Sequence, residues 1–187
     1  MYKLSFYLPK ETLITLYNAI VLPHLMYCNV AWGNTYKSYL SRLIVIQNKI
    51  VRYITLSPYR SKSLPLFIEL HILPFDKLVA LSCMIFMYKM GYAKNSFLKD
   101  AFVLNSSIHA HNTRQRNLIR QPLVRTELAL QSFITVCIKE WNSLPSNIKT
   151  APSLGNFKDL CRSHIDKMLK EMLKEMLKDK VQRKSNK

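Results

Sequence analysis

Glycine is nearly missing from this chain, with three residues in 187. Phosphate-cradling loops and β-sandwich turns draw on glycine's access to positive φ, so both are disfavoured and a mostly helical chain fits the scarcity. Acid is the second deficit. Aspartate and glutamate total 11 against 28 lysines and arginines, a formal net charge of +17. The aspartates are Asp76, Asp100, Asp159, Asp166 and Asp179, and no two are adjacent. Two-metal phosphoryl or nucleotidyl transfer needs carboxylates gathered around the ions, so no polymerase or nuclease centre can be drawn from them, and no metal or cofactor is expected in this chain. The four cysteines, Cys28, Cys83, Cys137 and Cys161, stand far apart, without a C-x-x-C pair or a finger-like Cys–His spacing. This argues against zinc and for buried free thiols in a reducing compartment. No signal peptide is legible after Lys3, so the expected location is intracellular, nucleus or cytoplasm, and not secreted.

What is present is enough apolar residue (49%) for a real core. The expectation is a mainly α, compact multi-helix domain over residues 1–167, followed by a basic low-complexity helical tail over 168–187. Pro9 and Glu11 start a first helix, Leu13, Leu16, Tyr17, Ile20 and Val21 recur at helical spacing, and Pro23 interrupts them. Leu13 to Tyr36 carries no formal charge and is long enough to span a bilayer, but Asn18, Pro23, His24, Asn29 and Asn34 would need partners in hydrocarbon. A buried helical hairpin is expected instead, ending at Gly33-Asn34-Thr35, and no membrane partner.

The clearest amphipathic helix runs from Ser38 or Tyr39 to about Thr55, with Leu40, Leu43, Ile44, Gln47, Ile50, Val51 and Ile54 on one stripe. Val45 and Ile46 outside the stripe predict packing on more than one side. Ser63 is expected to cap a short helix and Asp76 a longer, central one ending at Gly91 in the left-handed region. Residues 105–121 lose periodicity and predict a long loop, with a short hairpin pairing 118–124 and 128–130. Helices return at Ser132–Trp141 and after Ser153, where Leu154, Phe157, Leu160, Cys161 and Ile165 face inward. From Met168 the four-residue repeat Met-Leu-Lys-Glu extends the last helix, and its period drifts around a 3.6-residue helix.

The positive charge is clustered. Thr12 to Ile68 contains no acid, yet Lys37, Arg42, Lys49, Arg52, Arg60 and Lys62 lie there; Ala101 to Thr126 is also acid-free and holds Arg114, Arg116, Arg120 and Arg125. A solubilising surface mixes signs, so two one-sign stretches point to an anionic partner, nucleic acid first. The candidate contacts are Arg42, Lys49 and Arg52 on the outer helix face, Arg60 and Lys62 beside Tyr59 on the next loop, and His109, His111, Arg114, Arg116 and Arg125. Such a set reads phosphates and shape more than base sequence. His109 and His111 share one strand face and could hold a metal, but without neighbouring carboxylates a pair of imidazoles near phosphate is the better reading. Trp32 and Trp141 adjoin apolar helices and read as core. Ser132, Ser143 and Ser153 read as caps.

One resemblance adds to this. Leu16–Gly33 (LYNAIVLPHLMYCNVAWG), LSRLIVIQNKIVRYIT, SPYRSKSLPLFIELHIL, FMYK, HAHNTRQ, WNSLP and FKDL occur in an order that resembles the region after the polymerase core in reverse transcriptases of non-LTR (LINE-type, jockey-like) retrotransposons. The resemblance runs from about Leu8 to Leu169. It implies a thumb-like helical fold that contacts RNA or an RNA–DNA duplex without sequence specificity. It also implies a parent RNA-directed DNA polymerase that uses magnesium. The aromatic-x-Asp-Asp turn of that enzyme has no counterpart here, and the Met-Leu-Lys-Glu repeat is outside the family pattern. The chain is therefore expected to be a non-catalytic remnant. The alternative is a helical interaction module that self-associates through 168–187.

Overall fold

A computed structural model of the chain describes residues 2–92, 102–108 and 113–185. The chain is mainly α-helical and divides into two compact units. The first comprises Met1–Tyr27, Lys37–Leu78 and Arg162–Lys187, and the second Cys28–Tyr36 and Val79–Cys161.

In the first unit a 3-10 turn, Lys3–Phe6, precedes α1 (Lys10–Leu16), a π-helical turn (Tyr17–Val21) and α2 (Leu22–Met26). Pro9 is the N-cap of α1 and Glu11 sits in its first turn, where an acid complements the exposed amides. The π turn lies immediately before Pro23. Proline has no amide hydrogen and its ring strikes the carbonyl four residues back. The widened turn, in which the Leu22 amide reaches the Tyr17 carbonyl, lets the helix continue past it. The run stops at Tyr27, which is extended, and Cys28, whose φ is +48°. The two arms of the expected buried hairpin fall in different units, the second being Cys28–Tyr36; Leu13, Tyr17, Leu25 and Asn29 are buried, but Ile20 and Tyr27 are 58% and 76% exposed. A charge-free stretch does not have to pack on every side. Among the described residues no helix is long and apolar enough to cross a membrane.

Helix α4 (Lys37–Ile54) follows the sequence expectation within two residues at either end and buries Gln47, Ile50, Val51 and Ile54. Val45 and Ile46 are exposed, so this helix packs on one side only, contrary to what the sequence suggested. Its C-terminus is a Schellman turn on a non-glycine residue: Leu56 has φ +50°, with Ser57 N–H to Arg52 O at 3.0 Å and Leu56 N–H to Tyr53 O at 3.4 Å. Helix α5 (Ser63–Glu69) has Lys62, not Ser63, at its N-cap and ends the same way on His71, φ +53°. A salt bridge joins Lys10 to Glu69.

Gln47 organises the core of this unit. At 2% exposure its amide donates to the Tyr17 hydroxyl (2.9 Å) and the Leu73 carbonyl (3.0 Å), and its Oε1 accepts the Phe75 amide (2.9 Å). Phe75 opens α6 (Phe75–Tyr92), and the first amides of a helix have no partner within it. Gln47 therefore caps this end, and Asp76 only occupies the first turn. Burial pushes the Tyr17 hydroxyl above its ordinary range, and its hydrogen bond with Gln47 opposes the shift.

The second unit is built around the rest of α6, α3 (Asn29–Trp32), α7 (Glu127–Leu130), α8 (Phe133–Ser143), α9 (Ser146–Lys149) and the start of α10 (Leu154–Ser185). Gly33 serves close approach and not a left-handed turn: its φ is −71°, and an added Cβ would lie 2.5 Å from both the Asn29 carbonyl and Val79 Cγ2. Gly91 has no positive φ, and α6 runs on to Tyr92, so it does not end in the predicted left-handed residue. Tyr88 stacks on Phe157 at 4.2 Å and donates to the Ala151 carbonyl at 2.7 Å. Cys83, Cys137 and Cys161 are buried, whereas Cys28 is exposed. Burial holds Cys161 as a thiol, raised to about 11, and the hydrogen bond with Cys83, together with burial, pushes Cys137 up.

The hairpin proposed for 118–130 is replaced by another pairing. Leu104 bridges Ile119 in antiparallel sense, supported by Arg120 N–H to Val103 O (2.8 Å) and Asn105 N–H to Leu118 O (3.0 Å). Residues 128–130 are helical because Thr126 caps α7, its hydroxyl accepting from the Ala129 amide. Ser132 and Ser153 cap α8 and α10 as expected. The four-residue spacing of α10 buries Phe157, Cys161, Ile165 and Leu169, while Leu160 is exposed and not inward-facing. Each step of four advances roughly 40° beyond a full turn. Burial accordingly fades along the repeat: Leu169 is buried, Leu173 half-buried and Leu177 exposed.

Candidate nucleic-acid interface

The two acid-free stretches supply exposed cations to both units. In the first unit, Arg42, Lys49 and Arg52 project from α4 within an arc of about 80°, and Arg42 to Arg52 spans about 15 Å of helix axis. Arg42, Arg60 and Lys62 are exposed; Lys49 and Arg52 are half-buried. Arg52 is held in place. Its Nε donates to the Ser61 carbonyl at 3.0 Å, and its guanidinium lies over the Tyr59 ring, 5.8 Å from the centroid. The first bond ties the 58–62 loop to the helix, so Arg60 and Lys62 are carried on a loop anchored to the same helix as Arg42. The ion pairs Lys10–Glu69 and Lys77–Asp76 do not involve Arg42, Lys49, Arg52 or Arg60.

Lys49 and Arg52 are half-buried because they line a cleft of about 270 Å³ against the N-terminal 3-10 turn. Its rings are Tyr2, Phe6, Tyr53 and Tyr59. Tyr2 lies 5.1 Å from Tyr53 and meets Phe6 edge-on at 5.3 Å, between ring centroids. Sequence reasoning singled out Tyr59 alone. Nothing in local spacing brings residues 2 and 6 to residue 53; an aromatic pair at i and i+4 in the first turn was the only signal.

In the second unit Arg114, Arg116, Arg120 and Arg125 are all exposed. Arg116 sits in the turn region that returns to the 104–119 bridge, its carbonyl accepting the Ser106 amide at 3.1 Å. Arg120, absent from the candidate set, borders an open groove of about 580 Å³ with Val103, Pro122 and Leu123. His109 and His111 lie outside the described residues.

The WNSLP block has structural work to do. In WNSLP, Trp141 packs against Phe157 at 5.9 Å with Lys149 over its ring, and Leu144 is buried. Asn142 grips residue 119 at both polar groups, accepting from the Ile119 amide (3.1 Å) and donating to its carbonyl (2.8 Å). Pro145 then caps α9. Trp141 is thus packing, as expected, and Lys149 pays for its partly buried place with a depressed pKa.

No protein-family model, curated protein or solved structure matches the chain. Among the described residues no group of three or more His, Cys, Asp or Glu is placed to hold a metal ion.

Proposed function

We propose that this chain binds RNA or RNA–DNA duplex without sequence preference, as a non-catalytic relative of the region that follows the polymerase core in non-LTR retrotransposon reverse transcriptases. The observation that carries the reading is the α4 surface, where Arg42, Lys49, Arg52, Arg60 and Lys62 lie on one helix and its anchored loop within a stretch that has no acid. Cations on a rigid helix contact successive phosphates and release condensed counterions, which gives affinity without base readout. Filter binding of a blunt RNA–DNA duplex over a salt series tests it. Five phosphate contacts correspond to a log–log slope of about −4.5, and Arg42→Ala should reduce the slope by about 1. A flat salt dependence would refute the proposal.

A second reading is supported by α10, where Met168, Met172 and Leu177 leave apolar side chains exposed along the repeat. Self-association through this helix predicts an oligomer in light scattering that disappears when the chain is shortened to end at Lys170, which keeps the buried Leu169.

A further inference from the structure

The ring-lined cleft has a chemistry that phosphate contacts alone do not use. Its charged lining residues are Lys49 and Arg52, and three of its rings stand open to solvent, Tyr2 at 58%, Phe6 at 65% and Tyr59 at 75% exposure. Single exposed aromatics are ordinary on a protein surface. Several around one concavity, with two cations in its wall and no acid in the surrounding 12–68 stretch, suit a ligand with a flat apolar face and a negative charge. The cleft is too small for a duplex, whose stacked bases present edges and not faces.

We infer that this cleft takes one unstacked nucleobase of a single strand, the base against the Tyr59 and Phe6 rings and its phosphate at Lys49 and Arg52. The inference rests on the nucleic-acid reading and adds a second mode to it. Arg52 is suited to both roles, since it is already fixed by Ser61 and by the Tyr59 ring and loses little freedom on binding. A strand is favoured over a free nucleotide because Arg42 continues the positive line along α4 and Arg60 and Lys62 continue it beyond Tyr59. Ring stacking tolerates every base, so no sequence preference is expected.

Fluorescence anisotropy with the full chain tests this, using a labelled ten-nucleotide RNA and the blunt RNA–DNA duplex of the same sequence. Phe6→Ala should weaken single-strand binding about tenfold and leave duplex binding within twofold; Tyr59→Ala should weaken single-strand binding at least as much, while Tyr59→Phe, which keeps the ring, should match the parent. Both side chains are largely exposed, so the variants are expected to melt with the parent protein. Duplex binding together with single-strand binding that ignores both rings would overturn the cleft assignment and leave the duplex proposal standing. Ring-dependent single-strand binding without duplex binding would do the reverse, and no binding of either would overturn both. AMP or UMP competing as well as the unlabelled RNA would overturn the choice of a strand.

Discussion

Replacing Gln47 by leucine isolates what the buried amide does. The substitution keeps the approximate volume and removes three hydrogen bonds, to Tyr17, Leu73 and Phe75. A buried donor or acceptor that loses its partner costs about 1–3 kcal/mol, and two of the three groups here are backbone. The new apolar side chain returns about 1.5–3 kcal/mol of burial. Three such losses less that return leave Gln47→Leu destabilised by about 1.5–6 kcal/mol, a large share of the 5–15 kcal/mol typical of a folded domain. Urea unfolding is the assay: the midpoint should fall with the slope unchanged. Tyr17→Phe should cost about 1 kcal/mol alone and almost nothing in the Gln47→Leu background, because the two share one bond. At low temperature, where the variant remains folded, duplex affinity should be unaltered, since the basic face of α4 is chemically untouched. A Gln47→Leu protein as stable as the parent would refute the reasoning and make the amide a burden the fold tolerates.

Gly33→Ala forces a methyl to 2.5 Å from Val79 and the Asn29 carbonyl, and should cost about 1–3 kcal/mol in thermal or urea unfolding. His71→Gly removes a side chain from the left-handed region at an exposed helix end and should raise stability by up to about 1 kcal/mol, visible as a higher melting temperature. Stability should fall as pH rises above 9: the unfolded Cys161 thiol ionises there, while the folded one stays protonated until about 11, so the unfolded state binds fewer protons in that window. Cys161→Ala should flatten part of this alkaline loss in pH-dependent melts.

Periodicity located what it is able to locate. Helix α4, the caps at Ser132 and Ser153 and the continuation of α10 through the repeat were legible because each is a local pattern of spacing or capping chemistry. Gln47 was visible as a polar residue within an apolar stripe, but its partners at 17, 73 and 75 come from distant segments that no window contains. The same reason hid Tyr2 and Phe6 from the candidate site. The misplaced hairpin came from reading apolar residues at 128–130 as strand when Thr126 and Glu127 supply a helix start. The charge pattern picks out the cations by their clustering along the chain; which are open and which line a cleft depends on the N-terminal turn folded against α4.

Neither compact unit is a continuous piece of chain. Leu13 and Tyr17 belong to the same unit as Ile165 and Leu169, which are made roughly 150 residues later. At about 5–20 residues per second the ribosome needs on the order of 10–30 seconds to supply that gap. During that interval the first unit lacks Ile165 and Leu169, two of its buried side chains. Completion of the first unit consequently waits on the synthesis of residues 162–169, and the segments made before them stay open to chaperones until then.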